Sequence, residues 1–551
     1  MSQGPIEERP GFPGALRALG GVGGHVGAPH VRVQRAIVAV STMMATFLVI
    51  LDVTIANVAL DHMRGSLSAA VDEITWVLTS FLVANAISLP ITGWLSDLLG
   101  RKRLFMLATV AFTLTSAAAG AAPSLAFMVI ARFLQGLAGG PLVPLSQATM
   151  IETFPARQRG MAMAVWGIGI MFAPIIGPTL GGWITDNWSW RWVFYINVPV
   201  GAAALVLAWL FIPDSPTERP AVRRVDVAGL VLLVVGVAAL QFVLDRGQRE
   251  DWFASALIVW LSLVAAAALV ALVVRELRAE EPVVDLRVLR HPTFAVATAA
   301  MFVISIAFYG IMVLSPLFTQ ILMGYTAMLA GLVLAPGGAS TLLTMPIAGV
   351  LMNRIDPRWM IVAGCALNAY AMYLMATLSL EASYWHIMLP RFIQGLGIGF
   401  TFVPLSTVAL SAVPMRELGH ASGLFNFIRT IGGSIGIAAV ATFLQRGTQT
   451  HQARLASHVS LYDPDVWDRY QTLVATFTTR GADLATAEQQ AWAHLYQMVQ
   501  RQALLLSFID NFWWLVWIFA AVIPFVLFLG RRPRLAESPA DVERHAAIVE
   551  S

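Results

Sequence analysis

Asp52 and Arg132 are charged residues set inside runs that are otherwise apolar. Asp52 interrupts Leu51-Asp-Val-Thr-Ile-Ala-Asn-Val-Ala-Leu60, and Arg132 opens Arg132-Phe-Leu-Gln-Gly-Leu-Ala-Gly-Gly140. A charge in hydrocarbon costs at least ~2.5–3.5 kcal/mol, so such residues face a cavity or a partner. At 1.5 Å per helical residue, each lies about 10–12 Å from the same end of its run. Matching depth makes the two a candidate pair. The chemistry open to it is proton carriage. Burial favours the neutral carboxyl, a nearby guanidinium favours the carboxylate, and their separation would control the proton. The competing reading is a static ion pair holding two helices together, a task that apolar packing performs more safely.

Arg391 heads a second copy of the pattern, Arg391-Phe-Ile-Gln-Gly-Leu-Gly-Ile-Gly399, yet no acid stands in the run opposite it, where Phe308 and Tyr309 lie. One half would then run the proton while the other shapes a cavity; the alternative for Arg391 is a structural polar contact. Arg429, in Asn426-Phe-Ile-Arg-Thr-Ile-Gly-Gly433, sits near the middle of its run. It suits either a polar or anionic substrate group or backbone carbonyls. Asn57, Gln135, Arg391, Gln394, Asn426 and Arg429 are the residues expected to line a substrate cavity.

Two glycine patterns concern movement rather than chemistry. Gly93-x3-Asp97-x2-Gly100-Arg101-Lys-Arg103 forms a turn between two apolar runs. Its glycines allow a tight turn and close helix approach, and Asp97 could rest at the positive N-terminus of a neighbouring helix. That makes it a candidate latch, against the plainer reading of a basic membrane anchor. Gly177-Pro178-Thr-Leu-Gly181-Gly182 closes another run; small residues let helices touch and seal a path, and proline bends one.

Other chemistries are excluded by composition. Lys102 is the only lysine and follows Arg101, so no Gly-Lys-Ser/Thr phosphate loop exists to drive transport with ATP. Cys365 is the only cysteine and forms no internal bridge. The histidines have no metal-ligand spacing, so neither metal nor cofactor is expected, and no enzymatic activity. Gly432-Gly-Ser434-Ile-Gly436 matches a nucleophile elbow, but it lies inside a helical run where the required strand-to-helix turn cannot form.

The elements that must hold these residues are membrane helices. Of 551 residues, 58% are hydrophobic and 12% charged, about half the charge of an average soluble domain. Fourteen runs reach the roughly 20 apolar residues that span a bilayer. The first six lie at about 36–60, 74–95, 104–122, 125–151, 160–184 and 192–212, two more at 227–244 and 253–274. The last six lie at about 293–320, 327–352, 360–380, 384–413, 418–443 and 511–529. Arginines gather on one side, at Arg101 and Arg103, Arg157 and Arg159, Arg223 and Arg224, and Arg354 and Arg358 among others. Short loops on the other side hold only Arg64, Arg191, Arg246 and Arg249. The positive-inside rule then places both termini in the cytoplasm. The net charge of +3 belongs to this asymmetry and indicates no nucleic-acid partner.

Pro90-Ile-Thr-Gly93 returns as Pro346-Ile-Ala-Gly349, and Arg132-Phe-Leu-Gln-Gly with Val143-Pro-Leu-Ser146 returns as Arg391-Phe-Ile-Gln-Gly with Val403-Pro-Leu-Ser406. The chain therefore reads as an all-α membrane protein of fourteen transmembrane helices. Two six-helix halves, 36–212 and 293–530, flank two extra helices within 226–274. Paired halves of this kind build transport sites at their interface. Residues 1–35 read as a disordered cytoplasmic tail, as do 531–551, and the long external loop 444–510 as carrying a small helical hairpin over 467–479 and 485–506.

Taken together, these motifs resemble the major facilitator superfamily, specifically its fourteen-helix drug:proton antiporters of the EmrB/QacA type. The likeness covers nearly all of Arg35–Arg532. It rests on Leu51-Asp52-x-Thr54 with Asn57-Val-Ala-Leu60, the Gly93–Arg101 turn, Arg132-x2-Gln-Gly136, Gly177–Gly182, and Trp190-Arg-Trp-Val-Phe-Tyr-Ile-Asn-Val-Pro199. The resemblance implies multidrug efflux: export of small hydrophobic, often toxic compounds across the bacterial cytoplasmic membrane in exchange for protons. Asp52 and Arg132 would couple the proton, Gly93, Asp97, Gly100 and Arg101 would gate, and Gly177, Pro178, Gly181 and Gly182 would form the antiporter signature. The loop before the last helix implies a periplasmic adaptor protein and an outer-membrane channel as partners. The rivals are a transporter of one dedicated metabolite and a non-transporting sensor or scaffold. The sequence departs from the pattern at Asp61, an extra acid at the external mouth. It departs again at Ala164 and Ala173, where glycines are usual, and at Asn353 and Asp356-Pro357 in the second-half turn.

Overall fold

The computed structural model describes residues 29–212, 226–460 and 462–528, all helix and connecting turn, without a strand among them. The expected tail 531–551 and residues 1–28 of the expected tail 1–35 lie outside this set. Apolar composition and helix-breaking turns set the spans, in order. The first half comprises Pro29–Val58, Trp76–Leu99, Arg101–Gly120, Leu125–Thr153, Arg159–Asn187 and Trp192–Phe211. Val227–Arg246 and Ala256–Arg278 follow. The second half comprises Pro292–Leu322, Ala327–Leu351, Pro357–Ala376, Tyr384–Ser411, Leu418–Ala456 and Leu484–Val526. Thirteen of these are helices long and apolar enough to cross a membrane; the fifth bends by 42° between Arg159–Pro174 and Thr179–Asn187, and taken as one span it brings the number among the described residues to fourteen. Pro178 lies at this bend, and its side chain is outside the described set.

Several starts are written locally. Ser124, Asp226, Thr326 and Asp356 each accept a backbone N–H from the first turn of the helix they precede, satisfying donors that no helical carbonyl reaches. The first helix begins at Pro29 rather than after residue 35, so Arg32 and Arg35 belong to it and not to the tail.

The repeat is also a repeat of packing. Span one lies on five and six, two on four, and three on four and six. The second half reproduces these pairings as nine on thirteen and fourteen, ten on twelve, and eleven on twelve and fourteen. The halves meet where span two touches thirteen and span five touches ten and twelve. Span seven packs on eight, on two and on thirteen, so the extra pair covers the seam between spans two and thirteen. At its end away from the arginine clusters, Thr79 donates to Asp245 at 2.9 Å and Trp252 donates to Thr442 at 3.0 Å. Span seven and its following turn are thus bonded to both halves.

In the loop 444–510 the two expected helices form, Pro464–Thr479 and one beginning at Leu484, but the second is continuous with the last span, and spans thirteen and fourteen run on as helices of 39 and 43 residues. At 1.5 Å per residue these measure about 59 and 65 Å, twice the ~30 Å of hydrocarbon. No proline interrupts 444–456 or 484–511, and a change of polarity does not end a helix. Gly447 lets the pair approach at Ser507, whose hydroxyl donates to the Leu444 carbonyl at 2.8 Å. A third helix, Pro464–Thr479, packs Tyr470 and Val474 onto Ala487, Ala491 and Leu495.

Candidate functional site

Asp52 and Arg132 meet. Both side chains are fully buried, and an Arg132 Nη1 donates to Asp52 Oδ2. The same nitrogen donates to Gln135 Oε1 at 2.8 Å, and Nε donates to the Val77 carbonyl at 3.1 Å. The Phe81 ring lies 4.3 Å from the guanidinium carbon, a cation–π contact strengthened by desolvation. On the acid, Oδ1 accepts from Gln135 Nε2 at 2.9 Å and from Asn197 Nδ2 at 2.8 Å. Four spans therefore hold one carboxylate: the first carries it, the fourth supplies Arg132 and Gln135, the sixth supplies Asn197, and the third supplies Ser116 behind Asn197. Gln135, expected to line an open cavity, belongs to this closed cluster.

Two of the signature glycines pack on span one at Thr54 and Ile55, two and three residues beyond the acid. A Cβ on Gly177 would lie 2.2 Å from Thr54 Oγ1, and one on Gly181 would lie 2.7 Å from Ile55 Cγ1. Gly182 has open space instead. Ala164 and Ala173, where glycine is usual, are both fully buried.

The second half copies the arginine but not the acid. Arg391 donates to Gln394, its counterpart of Gln135, and to Ser315 Oγ at 2.9 Å. Ser315, not Phe308 or Tyr309, faces it. Tyr309 instead packs on Gly433, where an added Cβ would lie 2.8 Å from its ring. A hydroxyl carries no titratable charge, so this triad cannot mirror the first.

At the arginine-rich end the halves are pressed together. A Cβ on Gly93 would lie 2.6 Å from the Cα of His420, and Asp97 Oδ2 lies 3.0 Å from His420 Nε2. His420 is in the first turn of span thirteen, so Asp97 does sit at a helix N-terminus, though a side chain makes the bond. Gly100 takes φ +82° at the turn, a conformation that favours glycine. Arg101 pairs with Glu152 of its own half and braces spans three and four rather than crossing the seam. Gly160 and Gly349 face each other across spans five and ten, each added Cβ falling 2.9–3.0 Å from the other's carbonyl oxygen. At the second-half turn Asp356 caps its own helix on the Arg358 N–H at 3.1 Å.

Deeper in the seam, Asn426 Nδ2 donates to Gln147 Oε1 at 2.5 Å, joining spans thirteen and four with both side chains fully buried. The Trp166 and Phe402 rings stack across spans five and twelve at 6.2 Å, and Arg429 lies 5.8 Å from the Phe402 ring. Arg429 thus takes an aromatic neighbour. Asn57 is exposed near the opposite end of span one and joins neither cluster.

A family model described as the Major Facilitator Superfamily matches residues 42–437. The chain belongs to the major facilitator superfamily. It is 37% identical to the multidrug export protein EmrB of Escherichia coli K12 over 502 residues, 90% of this chain and 95% of that protein. It is 38% identical to the fatty acid resistance protein FarB of Neisseria gonorrhoeae over 426 residues, 77% and 84% of the two. Among solved structures, the proton:xylose symporter XylE aligns over 91% of this chain and 97% of its own at a TM-score of 0.59 and 14% identity. That last likeness is one of fold alone. The superfamily membership and the helices together make this a multi-pass membrane protein.

Within this superfamily fold, residue reading missed Asn197, Ser116, Gln147, Ser315 and His420. Asn197 carried a signal: it is the polar residue in Tyr195-Ile-Asn-Val-Pro199 at the head of an apolar run. Gln147 stands among buried neighbours in Pro144-Leu-Ser-Gln-Ala148. Nothing local marks His420 or Ser315 as the partner of a residue hundreds or tens of positions away.

Proposed function

We propose that the chain exports small hydrophobic compounds from the cytoplasm in exchange for protons. The observation that carries this reading is the fully buried Asp52–Arg132 pair, held by neutral donors within one of two repeated helix bundles. An acid without solvent access keeps or releases its proton according to its neighbours. Movement of Arg132 away from Asp52 favours loading, and its return favours release. Residues 36–212 and 293–530 act as the rocking halves, with 226–274 between them. The arginine-rich end faces the cytoplasm, together with both termini, so the seam at Asp97–His420 and Gly160–Gly349 is the cytoplasmic gate in its closed state. The bonded contact at Asp97 opens as the halves rock.

Similarity to the multidrug export protein EmrB supports export and more than one drug as substrate. Gln147, Asn426, Arg391 and Arg429, with Trp166 and Phe402, are the surface a substrate meets when the seam parts. The helical extension of spans thirteen and fourteen supports a periplasmic adaptor protein docking there, with an outer-membrane channel beyond it.

Everted membrane vesicles carrying wild type or Asp52→Asn test the reading. Wild type is expected to move protons when a drug found by susceptibility screening is added. The variant is expected to reach the membrane at the same level and move none. Full drug resistance conferred by Asp52→Asn would defeat the proposal. Absence of drug-dependent proton release from purified wild type would instead mark a sensor or scaffold.

A further inference from the structure

We propose that Asn197 is a positioning residue for the proton-carrying acid, the donor that stays with Asp52 when Arg132 leaves. The inference rests on the reading of Asp52 as the proton carrier and adds a second, separable part to it.

The direction of the amide follows from hydrogen-bond bookkeeping. Asn197 is fully buried and its Nδ2 lies 2.8 Å from Asp52 Oδ1 and 2.9 Å from Ser116 Oγ. Ser116 has one hydroxyl proton, and it goes to the Phe194 carbonyl at 2.9 Å. The serine oxygen is left with lone pairs only, so it accepts from Asn197. The amide is thereby oriented with its NH2 group towards the acid. A flipped amide would set its carbonyl oxygen against both the carboxylate and the serine lone pairs.

The other neutral donor is not independent. Gln135 gives an N–H to the same Oδ1, but its carbonyl oxygen holds Arg132 Nη1 at 2.8 Å, and the two share one helix. Whatever displaces Arg132 takes Gln135 with it. Asn197 is fastened elsewhere, by Ser116 on span three and by its own place at the head of Asn197–Phe211. Arg132 is the ion-pair partner of Asp52. The other side chains bonded to it, Gln135 and Asn197, are neutral. Once Arg132 withdraws, Asn197 is the remaining donor to the carboxylate. A hydrogen bond to the charged form favours it. Asn197 therefore keeps the acid able to give its proton up, where an apolar lining would make it hold on.

The test is an infrared pH titration of the carboxyl band in full-length purified protein, with Asp52→Asn identifying the band. Protons are the probe, so no substrate is required. Loss of a bond to a charged group corresponds to roughly one pH unit or more. Asn197→Val is expected to move the titration to higher pH by about one unit. Ser116→Ala, a deletion of one hydroxyl, is expected to move it the same way by less, because the amide is then free to turn. A titration unmoved in Asn197→Val, or moved to lower pH, overturns the inference. If Asn197→Val does not fold, an unmoved Ser116→Ala titration overturns it. Asp52→Asn vesicles that still couple drug to protons would sink the carrier reading itself, a result independent of these titrations.

Discussion

At the scale of single residues, the two halves use one arginine in two ways. Arg132 is matched by a carboxylate and is neutral as a pair; Arg391 is met by Ser315 and Gln394 and keeps its charge. The first arrangement can hold or release a proton, and the second can only attract or position something. Arg391→Gln is accordingly expected to leave the Asp52 carboxyl titration unmoved while raising the drug concentration for half-maximal transport about tenfold, the worth of one charge-assisted bond. A shifted titration in that variant would mean that the halves do not divide the work. Asp52 and Arg132 were legible in the sequence because a charge in hydrocarbon is conspicuous at any position. Asn197 and Ser116 were not, because neutral polar residues are tolerated in many helices. Their importance depends on which way each helix is turned.

At the scale of elements, each span begins and ends for local reasons, and the two extra helices give the clearest case. Asp226 caps span seven on the Gly229 N–H at 2.9 Å and also accepts from Arg275 at the end of span eight at 2.9 Å. Hydrogen bonds from Arg275 hold its carboxyl below the usual carboxylate range. A depressed value in the folded state means a contribution present above the ordinary carboxylate range and lost as pH falls through the depressed one. Asp226→Asn keeps the cap and loses the ion pair; Asp226→Ala loses both and is expected to cost about 1 kcal/mol more. Thermal unfolding of the two variants in detergent at neutral pH and near pH 3 would check this. The gap between wild type and Asp226→Asn should shrink at the lower pH. Span boundaries were readable to within several residues because hydropathy is local. Hydropathy did not show that the thirteenth and fourteenth helices continue unbroken past their apolar runs, because leaving the bilayer changes polarity without supplying a residue that breaks a helix.

At the scale of the whole molecule, the contacts at the arginine-rich end describe a transporter shut on that side. The Cβ that a residue at Gly160 would carry lies 3.4 Å from Met352 Cβ across the seam, close to the separation a disulfide spans. Cys365, the only native cysteine, is buried. The double variant Gly160→Cys with Met352→Cys is expected to cross-link the halves under mild oxidation, stopping drug efflux, and to recover with reductant. Efflux that continues in fully cross-linked protein would show that this end need not open. Bilayer residence, the order of the spans, the internal repeat and the two buried charges could all be read along the chain, since transfer of a side chain from water to hydrocarbon depends on that side chain and its near neighbours. Which helix faces which could not. The meeting of Asp97 with His420, of Arg391 with Ser315 and of Asp52 with Asn197 depends on the rotation of each helix about its axis, and that is set by packing among segments far apart in the chain.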